Sequence, residues 1–248
     1  MPALDRKPAD LRLTNPRLTL AEHLEELRRR LGIALAALIV AIGVSLLYIE
    51  RLIAWLARPA QGRLTSFAFF TPTEPLTAYL RVAALAGLVL AMPVILAQLW
   101  GFVRAGLTRR EGMLAQVFIW WGSAQFVAGA AFAYYLLLPP ALRFLLGIGQ
   151  RWLEPVISID RYLAFVTTLM GWCGIVFELP VVLVILAKLG IVTAEWLRQQ
   201  RPFAILALVI LAAVVTPTTD PVNLLLMAVP MVLLYELSIL LVSFARPR

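Results

Sequence analysis

The stretch "LAEHLEELRRRLGIALAALIVAIGVSLLYI", Leu20 to Ile49, joins two chemical regimes. Its first part carries Glu22, Glu25, Glu26, Arg28, Arg29 and Arg30. From Leu31 to Ile49 it holds no charge at all. A hydrocarbon core of about 30 Å needs roughly 20 apolar residues in a helix, so Leu31 to Ile49 is expected to cross a bilayer. Thr19-x-x-Glu22 is a capping-box pattern, which predicts a helix start near Thr19. Leu20, Leu24, Leu27 and Leu31 fall on one stripe, which predicts a helix lying in the interface and leading into the span. Glu25–Arg29 and Glu26–Arg30 are i,i+4 pairs in the favourable order, each contributing about 0.2–0.5 kcal/mol.

The same apolar signal recurs along the chain. Spans are expected at about 31–49, 76–99, 116–138, 163–187, 202–215 and 222–242, the third closed by Pro139-Pro140. The chain is 248 residues long, 62% hydrophobic and 15% charged, where a soluble domain has roughly 25% charged residues. The expected fold is all-α, a single six-span membrane domain over 1–248, with 1–30 as a polar N-terminal segment. That segment has no short apolar core before a small-residue cleavage site, so it does not read as a cleaved signal. The net charge of +8 suggests nucleic acid, but the distribution of the cations explains it better. With the N-terminus inside, fifteen of the 22 Lys and Arg fall on inner segments and seven on outer ones. This favours N-in and C-in. The two longer outer loops are too apolar for linkers and predict short helices on the outer face.

Three spans that run from outside to inside carry an interior proline, in "AMPVIL", "ELPVVL" and "AVPMVL" (Pro93, Pro180, Pro230). Each proline removes a donor from the carbonyl four residues earlier and predicts a kink. Similar kinks in three helices would curve them into a concave wall. The fifth span has only fourteen residues, about 21 Å at 1.5 Å per residue, less than the core thickness. Either the bilayer thins there or another subunit covers the "TPTTDP" turn, Thr216 to Pro221.

Glu178 and Glu236 fall inside spans, where a charge costs roughly 2.5–3.5 kcal/mol on insertion scales. Glu178 precedes Pro180 and is expected to face a water-filled concavity; the plainer alternative is a protonated acid bonded to a neighbouring helix. The lone histidine, His23, has no ligand-like companions, and Cys173 has no partner for a disulfide. No phosphate-cradling glycine loop, metal spacing or serine–histidine pair is evident, so neither a cofactor nor a metal is expected. What remains is a second isolated acid, Glu111 in "RAGLTRREGML", on the same inner side as Glu26. Two such acids suit a cationic ligand.

Several segments carry a more specific resemblance: "HLEELRRRL", "PVILAQLWGFVRAGLTRRE", "AFAYYLLLPPALRFLL", "FELPVVLVILAKLGIVTAEWLRQQRPFAIL" and "TPTTDPVNLLLMAVPMVLLYELSILL". Together they resemble the TatC family, the signal-recognising core of the twin-arginine protein translocase, over nearly the whole chain. The resemblance implies binding of twin-arginine signal peptides and, with TatA and TatB, outward movement of folded proteins driven by the proton-motive force. It implies an oligomeric complex in the plasma (inner) membrane of a bacterium or archaeon. It places the signal-binding acids at Glu26 and Glu111, with Arg28, Arg30 and Phe102 at matching positions. Pro59 matches a proline of the first outer loop, Glu178 the acid of the concave face, and Asp220 the acid of the last outer turn. Thr216 matches a position for docking TatA or TatB. Ala105 stands where the family usually has proline. Leu224 stands where it usually has glutamine, with Asn223 beside it. A secondary transporter using Glu178 as an ion or proton site is the competing reading, although no inverted repeat is visible. A membrane hydrolase lacks its catalytic set.

Overall fold

The computed structural model describes residues 20–60, 67–104, 112–147, 156–216 and 221–244. The described residues are helical, apart from short connections and one isolated bridge. The helices are α1 (Leu20–Leu46), α2 (Ile49–Ala57), α3 (Glu74–Arg104), α4 (Gly112–Phe132), α5 (Leu138–Gly147), α6 (Ile159–Phe177), α7 (Leu179–Lys188), α8 (Ala194–Gln199), α9 (Arg201–Val215) and α10 (Pro221–Phe244). Five stretches are long and apolar enough to cross a membrane: Leu24–Leu46, Glu74–Phe102, Gln116–Gly147, Ile159–Lys188 and Asn223–Phe244. The shorter α9 has 15 residues.

The long helices run antiparallel. On α1 and α3, Arg30 meets Gly101 and Ile42 meets Gly87; on α4 and α6, Phe126 meets Gly174 and Gly129 meets Cys173. Small residues let these backbones approach, since lipid supplies no hydrophobic drive between helices. α1 packs chiefly on α3, which also meets α4 and α6; α7 packs on α10, and α10 on α9. The helices thus form an open row with α1 at one edge and α9 at the other. The face on which α1 begins is called the near face below, and the opposite one the far face.

Two expectations are corrected. The amphipathic start is not a separate interfacial helix. α1 is one continuous helix of 27 residues, about 40 Å long, so its first turns stand beyond a 30 Å core while Leu24, Leu27 and Leu31 stay exposed. Second, Pro139-Pro140 do not close the third span. A π-helical turn, Ala133–Leu137, precedes them, and the Leu138 N–H donates to the Ala133 carbonyl five residues back. This re-registers the chain, so both prolines sit in the first turn of α5, where a missing N–H costs little. Of the three interior prolines, one lies at an interruption. α3 and α10 continue through Pro93 and Pro230. A proline removes one donor, and the turns on either side keep their own bonds. The helix breaks at Glu178, between α6 and α7, with Pro180 in the first turn of α7.

Short helices cap the far face, as the composition of the loops predicts. Pro59 lies in a single 3-10 turn, Arg58–Ala60, that follows α2. Tyr134 and Tyr162 donate from the third and fourth long stretches to the Trp55 and Leu56 carbonyls of α2, at 2.6 and 2.8 Å. Tyr134 also stacks on Trp55, with centroids 4.2 Å apart. The two loops meet where Ala68 and Ser158 form a parallel bridge. The Glu74 carboxylate accepts from Ser158 Oγ at 2.6 Å, and Asp160 accepts from Thr77 Oγ1 at 2.8 Å and Arg81 Nε at 3.3 Å. On the near face, Gly190 at φ 72° ends α7. Its left-handed conformation suits a residue without Cβ.

Candidate functional site

The near face is built by the first turns of α1 and the last turns of α3. Glu26 and Arg30 are one turn apart on α1, and they meet: Arg30 Nη2 and Nε donate to Glu26 Oε1 at 2.5 and 3.0 Å. Both bonds fall on the same oxygen. Glu26 Oε2 accepts no hydrogen bond from the described residues. The companion pair Glu25–Arg29, predicted from the same spacing, is not formed. Arg30 lies over Gly101, whose missing Cβ leaves room for the guanidinium. Sequence reasoning missed this glycine; "LWGF" gives no periodic reason to expect a close approach.

A groove of about 510 Å³ opens beside the pair, lined by Glu25, Glu26, Arg29, Arg30, Ile33 and Gln98. Arg28 is exposed on the other side of α1, and Phe102 is half-buried at the end of α3. Glu111 and Ala105 lie outside the described residues, as does the Thr19 cap. The segment with Glu111 joins α3, whose Gly101 abuts Arg30, to α4. Gln98 is a second residue that sequence reasoning missed.

Glu178 occupies a different place. It sits at the α6–α7 break, its N–H donating to the Ile175 carbonyl at 3.1 Å and its carbonyl accepting from Val182 at 3.0 Å. The residue is only 6% exposed. Neither carboxylate oxygen has a hydrogen-bond partner among the described residues. Gly122 of α4 makes the room: a Cβ there would lie 3.1 Å from Glu178 Oε2 and 2.6 Å from a Leu96 methyl. The open, water-filled surroundings expected for Glu178 are thus replaced by a packed α3–α4–α7 contact. Gln125, one turn beyond Gly122, and Trp100 on α3 also bury polar atoms without partners. Glu236, the other intramembrane acid, is paired with Arg201 at 2.6 Å and partly exposed.

At the far end of α9, Thr216 is buried and its hydroxyl donates to the Ala212 carbonyl at 2.7 Å. Asn223 is buried in the first turn of α10, and Leu224 beside it is partly buried. Asp220 lies outside the described residues. α9 instead exposes Phe203, Leu206, Ile210 and Val214, spaced as a single stripe down the helix.

The family model described as "Sec-independent protein translocase protein (TatC)" matches residues 22–230. The chain belongs to the TatC family. A TatC protein of Carboxydothermus hydrogenoformans is 38% identical over 231 residues, covering 93% of this chain and 95% of that protein. The chloroplastic TATC protein of Arabidopsis thaliana is 36% identical over 218 residues, covering 88% of this chain and 64% of that protein. A crystal structure described as the twin arginine translocase receptor TatC superposes with a TM-score of 0.77 at 36% identity, over 90% of this chain and 99% of that one. As a TatC member, the chain is a multi-pass membrane component of the Sec-independent, twin-arginine protein translocase, and not an enzyme. Membership displaces the small-solute transporter reading.

Proposed function

We propose that this TatC protein is the receptor for twin-arginine signal peptides, and that the near face is cytoplasmic. Glu26 and Glu111 take the paired arginines. With TatA- and TatB-type single-span partners, the protein then moves folded cargo outward at the expense of the proton-motive force. Its site is the plasma (inner) membrane of a bacterium or archaeon, with six spans and both termini inside. The observation that carries this reading is the Glu26 carboxylate. One oxygen is fixed by Arg30, and Glu26 lines a groove shared with Glu25, Arg29 and Gln98. A guanidinium is a planar fork that fits a carboxylate better than a lysine does. The purified protein is expected to retain a synthetic twin-arginine signal peptide through gel filtration. A peptide with two lysines in place of the arginines should be lost. Equal retention of both would sink the reading.

Glu178 is assigned to the step after binding. Glu178→Ala removes an acid whose carboxylate has no hydrogen-bond partner among the described residues, so the folded protein and its signal affinity are expected to change little. Transport of a folded reporter should fall severalfold. Wild-type transport would reduce Glu178 to a packing residue.

The partner-docking surface is proposed at α9 and the turn after it, Thr216 to Asp220, with Asn223 nearby. The 15 residues of α9 rise about 22 Å, short of the roughly 30 Å core. A partner helix there also covers the Phe203–Val214 stripe. Cysteines at Phe203 and Ile210 should crosslink to a single-span partner at least as well as one at Thr216, which is buried in this chain. Crosslinking confined to the exposed face of α1 would place the docking surface at the wrong edge.

A further inference from the structure

A second cavity lies far from the groove at Glu26. About 680 Å³ opens over α3, between α1 and α4, and it ends under α2 at the far face. Its size falls in the ~300–1,000 Å³ range of small-molecule sites. Its floor is buried and apolar, with Val82, Leu56, Ala130 and Met170. Ala86 and Ala131 also line it and keep it deep. Its rim is exposed, with Val44, Tyr48, Leu90, Val127 and Tyr135. α1 and α4 both pack on α3 and scarcely on each other, so the groove stays open to the side.

The end under α2 has a different chemistry. Tyr48 and Trp55 line it, the amphipathic rings that sit at headgroup level in membrane proteins. Arg51 on α2 and Arg58, which caps its C-terminal end in a helical conformation, lie four residues before and three after Trp55, so all three share one edge. Both arginines are exposed, and neither forms an ion pair with the described residues. Tyr48 and Arg51 also line a smaller adjoining cleft of about 270 Å³. Glu50, which lines that cleft too, is one residue from Arg51 and so about 100° round α2. An apolar slot that opens sideways and ends under α2, with the exposed Arg51 and Arg58 on the same edge as Trp55, matches one kind of molecule.

We propose that this groove binds a single anionic phospholipid of the far leaflet, with an acyl chain over α3 and its phosphate at Arg51 and Arg58. Guanidinium forks suit phosphate oxygens. The aromatic end fixes the headgroup depth, and the slot takes a chain that would otherwise pack against a smooth helix surface. The lipid would act as a wedge between α1 and α4, which do not touch closely.

The test is native mass spectrometry of the full chain, purified in detergent, delipidated, and offered phosphatidylglycerol. One lipid adduct should survive at collision energies that strip the others. In Arg51→Gln/Arg58→Gln, retention should fall at least fivefold. Arg143→Gln, an exposed arginine of α5 at the same face, should leave it unchanged. Ala86→Phe and Ala131→Phe fill the slot and should abolish retention with the arginines intact; unchanged unfolding temperature in these variants shows that they fold. Equal retention in all variants overturns the proposal. So does equal loss with Arg143→Gln, which would indicate a diffuse surface charge. If the Phe variants lose an apolar signal peptide and keep the lipid, the groove is a peptide site and the proposal fails.

Discussion

Glu26→Gln should weaken signal-peptide binding about tenfold, and Glu111→Gln by a similar factor. Hydrogen bonds to charged groups contribute about 1.5–3 kcal/mol, and at a wet interface the lower end applies; 1.4 kcal/mol is about tenfold. The two acids lie on different segments, so their losses should approach additivity, and the double variant should bind roughly a hundredfold more weakly. Glu25→Gln lines the same groove but lacks the arginine that fixes Glu26. It should change affinity by less than twofold to threefold, as should Glu22→Gln. Peptides with lysine in place of arginine should reproduce the glutamate losses, and combining both changes should cost less than the sum. These affinities are measurable by fluorescence anisotropy in detergent at moderate salt. If Glu25→Gln hurts as much as Glu26→Gln, the site is a diffuse acidic patch.

The largest stability effect is expected at Gly129. A Cβ there would lie 2.5 Å from the Cys173 carbonyl oxygen and 2.8 Å from the Phe177 ring. The obstacle includes backbone, which cannot rotate away as a side chain can. Gly129→Ala therefore has to push α4 from α6, and overpacking of this kind costs about 1–3 kcal/mol. Gly129→Leu should leave little folded protein. Gly171 supplies the control, since its nearest neighbour is a Leu85 methyl at 3.8 Å. Gly171→Ala should express and unfold like the parent in a thermal scan by size-exclusion fluorescence. Similar yields for the two alanine variants would mean that the α4–α6 contact is looser than described.

Much of this architecture was readable in the sequence because lipid imposes it. A span must satisfy its backbone internally, so length and hydropathy locate it within a few residues. The Glu26–Arg30 pair was readable too, because i,i+4 spacing is a local property. What was not readable depends on contacts between distant segments. Glu25–Arg29 has the same spacing and does not pair; the local pattern cannot tell it apart from Glu26–Arg30. The three prolines were expected to act alike, yet the helix is interrupted only beside Pro180; the motif does not distinguish it from Pro93 and Pro230. The burial of Glu178 depends on Gly122, fifty-six residues away. The turn at Ala133–Leu137 has no compositional mark, and the prolines after it suggested an end rather than a change of register.

The clamp on α2 has a consequence for the order in which the molecule is made. Its hydroxyl from Tyr162 reaches the Leu56 carbonyl across 106 residues. At about 5–20 residues per second of synthesis, roughly 5 to 20 s pass before that hydroxyl exists. During this interval α2 has left the ribosome without its anchor, and the parts of α3 and α4 that will support it are arriving one by one. The far face is therefore completed from its later half back to its earlier half. A mutation at Tyr162 would first be felt as a delay in the maturation of newly made chains, before any loss of transport by those already assembled.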